Sequence, residues 1–157
     1  MATKVESYGI WNAGVLGSTP AKSYQLQVIN RGSSGYIMVG LSPKENFLPD
    51  GQNFNQCGYY LNIYNGNIYS QDRSNVRPYH TSISNNSIIE IIYKNQEISF
   101  SVNNKNLGVA FHNVNGNLYP AVDFYDLASV RIYSHFECIC KIHVERSFAH
   151  QEENFPL

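Results

Sequence analysis

Apolar residues in this chain recur at every second position far more often than at helical spacing. Tyr24, Leu26 and Val28 alternate with Gln25 and Gln27, which sends one face of an extended segment to a core and the other to water, as a half-buried strand requires. Arg31-Gly32-Ser33-Ser34-Gly35 breaks the run. The stretch from Tyr36 to Leu41 is apolar on both faces and stops at Ser42-Pro43, the pattern of a central strand covered on both sides. After a polar stretch from Lys44 to Gln56, two runs from Tyr59 to Tyr64 and from Asn67 to Tyr69 flank Asn65-Gly66. That pair readily takes the positive φ values of a two-residue hairpin turn.

Further strands are expected from Ile88 to Tyr93, Ile98 to Val102, Leu107 to Phe111, Leu118 to Phe124 and Ser129 to Tyr133, with polar, Asn-rich connections before and after the second of them. Their alternation places Phe100, Val102, Val109, Phe111, Val122 and Val130 in the core. No long segment has helical period, and short strands separated by turn signals predict an all-β sandwich or barrel. Residues 1–8 are expected to be a flexible leader, and residues 137–157 a last strand through Cys138, Cys140 and Ile142 followed by a loose polar tail.

Composition narrows this picture. A chain of 157 residues is the size of one domain and long enough to bury a core without disulfide or metal support. Its formal net charge of -1, with Lys and Arg scattered, offers no basic stripe to follow a phosphate backbone, so nucleic acid is not an expected partner. No apolar run approaches the roughly 18 residues that cross a bilayer, and the start from Met1 to Glu6 has no apolar signal stretch, so a cytoplasmic chain away from the membrane is expected. In that setting Cys57, Cys138 and Cys140 are reduced thiols, and the Asn85-Asn86-Ser87 sequon carries no glycan. Twelve tyrosines and an aromatic fraction of 13% suit strands and contact surfaces alike.

Several spaced motifs, in order, resemble the second half of a SPRY domain: the stretch from Ile98 to Phe111, then Leu118-Tyr119-Pro120-Ala121-Val122, then Ser129-Val130-Arg131-Ile132. Earlier segments are similar too: Tyr24 to Val28, Val39-Gly40-Leu41, and Gly58-Tyr59 with Gly66, where Tyr59 stands in place of the tryptophan of many members. The resemblance covers roughly Tyr24 to Tyr133 and places a SPRY domain at 9–136, without the PRY extension. It implies a two-sheet antiparallel β-sandwich of concanavalin-like architecture with a shallow loop-built binding face. It further implies a module without catalytic residues that recognises a protein or short peptide, in substrate recognition for ubiquitin ligases or in scaffold complexes.

The candidate partner-binding residues follow. Arg31, Gly35 and Tyr36 lie around a hairpin that the family uses for binding. In SPRY proteins similar to those of SOCS-box ligases, the loop matching Tyr125, Asp126 and Leu127 helps hold the peptide. The long Lys44 to Gln56 loop carries Phe47, Leu48 and Phe54 amid polar residues, and loops of this length tend to be functional, although the same side chains would also plug a sandwich end. Tyr79 joins them, and Arg73 and Arg77 could meet an acidic peptide or simply remain solvated. A monomer in isolation is expected. Two readings of other classes stand beside this one: a carbohydrate-binding, lectin-like sandwich on whose tyrosines sugars stack, and a structural segment of a larger intracellular protein.

Neither metal nor catalytic chemistry is expected. His135, Cys138, Cys140 and His143 put four zinc-type ligands within one short stretch, but in a strand the cysteines face one side and the histidines the other, so they do not converge. His80, His112 and His150 are isolated in sequence, and no Gly-x-Ser-x-Gly elbow or Gly-rich phosphate loop occurs, so no enzyme and no cofactor is expected.

Overall fold

Alternation along each strand is resolved by stacking two sheets face to face. The computed structural model describes residues 2–3, 11, 13–71 and 76–133. In chain order its strands are β1 (Ala2–Thr3), β2 (Ala13–Leu16), β3 (Ser23–Asn30), β4 (Ile37–Ser42), β5 (Tyr59–Asn62), β6 (Asn67–Ser70), β7 (Arg77–Pro78), β8 (Ile88–Lys94), β9 (Glu97–Val102), β10 (Lys105–Phe111), β11 (Tyr119–Phe124) and β12 (Ser129–Tyr133). They form two six-stranded sheets, in the orders β1-β12-β3-β8-β9-β10 and β2-β11-β4-β5-β6-β7, with every pairing antiparallel. The result is the two-sheet antiparallel sandwich expected of the family pattern.

The main core lies between the sheets. Tyr24, Leu26 and Val28 of β3 are buried while Gln25 and Gln27 are only half-buried, and they meet Val39, Leu61 and Val122 of the second sheet in one cluster. The Tyr24 hydroxyl crosses this core to donate to the Gly40 carbonyl at 2.5 Å, so its one buried polar atom is paired. β4 is buried at every position. Its inner face joins the main core. On its outer face Met38 joins Tyr60, Ala121 and Phe54 in a second cluster, over which Trp11, Leu16, Phe47 and Tyr69 pack. The segment between β4 and β5 therefore supplies the second cover that the apolar pattern of β4 demands.

The structure departs from the sequence pattern in four places. The β5–β6 hairpin forms, but its connection is four residues long. Ile63 turns inward, its N–H bonding the Ile37 carbonyl at 2.9 Å, and only Gly66 (φ 73) takes a positive φ. The two-residue turns with both φ positive are Asn95-Gln96 (53 and 62) and Asn103-Asn104 (50 and 66), where strands pair directly up to the turn. Val109, placed in the core by period, is 37% exposed, because register shifts on either side of it in the β9–β10 ladder break the two-residue alternation. Part of the expected flexible leader is ordered: Ala2 and Thr3 pair with Val130 and Ser129, and Ala2 is fully buried. The expected last strand and tail at 137–157 lie outside the described residues.

The difference between Phe100 and Val109 is measurable. Phe100 is fully buried, so Phe100→Ala is expected to cost about 3–5 kcal/mol through lost burial and the cavity left behind. Val109→Ala should stay within about 0.5 kcal/mol of the parent. Urea unfolding of both variants checks the contrast; equal losses would put Val109 back in the core.

Candidate interaction site

Two loops at one end of the sandwich are bound to each other. The β3–β4 connection must turn sharply, and Asp126, in the β11–β12 connection, holds it: its Oδ2 accepts from Ser33 Oγ at 3.0 Å and from the Ser34 N–H at 2.8 Å. The Tyr125 N–H donates to the Tyr36 carbonyl at 3.2 Å. From the other side the Arg31 guanidinium donates to the Ile83 carbonyl at 3.0 Å and to Ser82 Oγ at 3.3 Å, and the Arg31 N–H to Asn85 Oδ1 at 2.9 Å. Gly35 takes φ +74, a conformation that L side chains rarely adopt, and the Arg31 guanidinium lies where a Cβ would otherwise stand, so glycine suits this turn.

On this frame the rings collect. The Tyr36 ring lies 4.5 Å from Tyr64 and 5.7 Å from Tyr125, and Trp11 lies 5.5 Å from Tyr125 and 4.7 Å from Phe54. Phe54 in turn meets Tyr69 edge-on at 5.6 Å. Tilted and edge-to-face contacts at these separations are attractive in their own right and stiffen the group. Tyr64 and Leu127 are 43% and 46% exposed, Tyr36, Tyr125, Trp11 and Phe47 are half-buried, and Phe54, Gly35 and Asp126 are buried. The last three support the surface from below.

The Lys44 to Gln56 loop is secured by a buried polar latch. Asn53 receives the Leu48 N–H at 2.6 Å and donates to the Leu48 carbonyl and to Asp123 Oδ1, both at 2.8 Å, while the Phe54 N–H donates to Asp123 Oδ2 at 3.3 Å. Asp123 is fully enclosed on the outer face of β11. Burial pushes its carboxyl up from 3.8 to about 6, against the opposing pull of the Asn53 and Phe54 hydrogen bonds and with a smaller upward push from Asp50. Beside it the Cys57 thiol lies 3.4 Å from Ser42 Oγ, and burial pushes it up as well, which leaves a packing thiol rather than a nucleophile. The nearby Tyr60 hydroxyl is buried too, and burial holds its proton well above the usual phenol range.

Of the residues singled out from the sequence, Arg31, Gly35, Tyr36, Phe47, Phe54, Tyr125, Asp126 and Leu127 thus belong to one connected end of the molecule. Tyr79 does not join these rings: its hydroxyl donates to the Gly108 carbonyl at 2.6 Å and its ring meets Phe100 at 5.9 Å. Arg77 is likewise engaged, donating to the Ala110 carbonyl at 2.6 Å, and Arg73 lies outside the described residues. Sequence reasoning missed Trp11 and Tyr64, and it missed the Asn53–Asp123 latch altogether. The lone tryptophan of the chain and a tyrosine beside Asn65-Gly66 were visible signals; Asn53 and Asp123 are 70 positions apart and gave none. Among the described residues no group of His, Cys, Asp and Glu could hold a metal ion, and the His135 to His143 stretch lies outside them. No helix among the described residues is long and apolar enough to cross a membrane.

A two-sheet sandwich with paired loops and an aromatic end describes a class of domain. The SPRY domain family model matches residues 22–134, and the chain belongs to that family, whose domains generally serve as protein-interaction modules. The fold is similar to a crystal structure of a human SPRY domain, with TM-score 0.73 and 18% identity, covering 88% of this chain and 98% of that one. It is also similar to the SPRY domain of human HERC1, with TM-score 0.60 and 20% identity, covering 84% and 92%. No curated protein matches the chain.

The latch makes stability depend on pH in a defined direction. Asp123 has its pKa raised on folding, so its contribution is fully present below the unfolded value of 3.8 and is lost as pH rises through about 6. The interval corresponds to roughly 3 kcal/mol. The stability of the parent relative to Asp123→Asn, which does not titrate there, is therefore expected to fall between pH 4 and pH 7. Urea unfolding of both proteins across that range checks it; a difference that stays level or rises would show Asp123 not to be a desolvated acid.

Proposed function

We propose that this chain is an interaction module that grips an extended peptide, or a loop of a partner protein, on the end formed by Tyr36, Tyr64, Tyr125 and Leu127, with Trp11 and the Phe47–Phe54 loop as its wall. The observation that carries this reading is the set of tilted and edge-to-face rings held rigid by the Asp126 and Arg31 hydrogen bonds yet left partly open to solvent. Tyrosine and tryptophan give large contact area with few rotatable bonds, and rings already fixed in place lose little freedom on binding. Recruitment of a substrate to a ubiquitin ligase, or assembly of a scaffold complex in the cytoplasm, is the use that the family supports for such a module. The chain acts by binding and carries out no chemistry of its own.

A displayed random-peptide library panned on the domain is expected to return binders. Their affinity should fall at least about tenfold, or about 1.4 kcal/mol, in Tyr125→Ala and in Leu127→Ala, with the melting temperature of Leu127→Ala kept. Full affinity in both variants would place the site elsewhere. Enrichment on a glycan array with no peptide binder would favour the lectin-like alternative.

A further inference from the structure

The tripeptide Asn-Gly-Asn occurs twice, at Asn65-Gly66-Asn67 and at Asn115-Gly116-Asn117. Asparagine before glycine readily loses its side-chain amide, because glycine has no Cβ to hinder its own nitrogen from reaching the asparagine Cγ. The residues are the same at both places, so the fold alone sets them apart.

The first copy is locked into the β5–β6 connection. Its nucleophile would be the Gly66 nitrogen, whose N–H donates to the Asn62 carbonyl at 2.8 Å. The Gly66 carbonyl accepts from the Tyr79 and His80 N–H groups at 3.2 and 2.9 Å, Asn65 Oδ1 accepts the Asn67 N–H at 2.9 Å, and Gly66 is buried. Bringing this nitrogen onto Cγ means breaking such bonds first, like the local opening that precedes exchange of a protected amide.

The second copy is an exposed arch between two buried pins. On one side Val114 is fully buried, its N–H donating to the Gln96 carbonyl at 2.8 Å and its carbonyl accepting from the Tyr93 hydroxyl at 3.1 Å. On the other, Leu118 is buried and its carbonyl accepts the Ala21 N–H at 2.9 Å. Between the pins, no main-chain partner among the described residues takes the Gly116 N–H, and open space surrounds the position of a Gly116 Cβ. Asn115 makes one exposed bond, from Nδ2 to the Asn113 carbonyl at 3.0 Å. The arch can therefore rearrange while the pins hold.

We propose that Asn115 is a site of spontaneous deamidation in the folded protein and that Asn65 is protected from it. The Gly116 nitrogen, its proton lost to hydroxide, attacks Asn115 Cγ; the bond from Cγ to Nδ2 breaks, and Nδ2 takes up a proton and leaves as ammonia. Water then opens the succinimide ring at either carbonyl, giving aspartate or isoaspartate, with no net oxidation or reduction. Each conversion adds a negative charge at the arch, and the isoaspartate product also lengthens the main chain there, which an exposed arch accommodates. Protection of Asn65 keeps the same charge away from its neighbour Tyr64. The inference rests on the two main-chain environments and does not depend on the peptide-binding reading.

Folded protein held in mildly alkaline buffer, then digested and mapped by mass spectrometry, is expected to convert Asn115 at least about tenfold faster than Asn65. In urea strong enough to unfold the chain the two sites should convert at similar rates, since the tripeptides are identical. The Asn115→Gln variant should lose the first acidic form that ion-exchange chromatography resolves in the aged parent. Equal rates in the folded protein, faster conversion of Asn65, an Asn115 that converts only in urea, or a first acidic form that survives Asn115→Gln would each overturn the proposal.

Discussion

The double burial of β4 is the constraint on which the rest of this structure depends. A strand reading Ile-Met-Val-Gly-Leu-Ser from Ile37 to Ser42 has no face that water can accept, so it needs two covers. The first sheet provides one, and the fit is close enough that Tyr24 reaches across to the Gly40 carbonyl. The Lys44 to Gln56 loop provides the other. That loop is polar in composition and would gain little by lying on a sheet, yet Phe47 and Phe54 give it an apolar underside and the Asn53–Asp123 contact secures it. Burying an acid for this purpose is costly, which is why Asp123 holds its proton so far above the usual carboxylate range.

The aromatic end is a consequence of the same arrangement. Phe54, once drawn onto the outer face of the second sheet, brings Trp11 with it, and Trp11 reaches Tyr125 and Tyr36. The loops that carry those tyrosines are shaped by polar contacts rather than by apolar burial: Asp126 on one side, Arg31 on the other. A surface built in this way is stiff without being closed. It suits the SPRY family's general use as an interaction module, and the partner's identity is written in side chains that the shared fold leaves free to vary.

Legibility in the sequence tracked how local the physics was. The alternation of Tyr24 to Val28 and the apolar run of β4 predicted their strands because burial on one face or two acts within a few residues. Asn65-Gly66 marked a hairpin but not its length, since Ile63 was drawn inward by Ile37, a residue of another strand. Val109 was misplaced because register shifts in the β9–β10 ladder reset the face that each later residue presents. Tyr79 resembled a contact residue, as any tyrosine in a polar connection does, and only the position of Gly108 showed its hydroxyl to be engaged.

The all-β class, most of the strands and the family pattern were legible in the residues alone, because those depend on period, turn chemistry and residue type. Only the tertiary structure decided which loops meet, that Trp11 and Tyr64 belong with Tyr36 and Tyr125, and that Asp123 and Asp126 are fastenings of the fold. The reason is physical: a hydrogen bond or a ring contact between residues tens of positions apart depends on where two sheets bring them, and no local pattern in the chain encodes that distance.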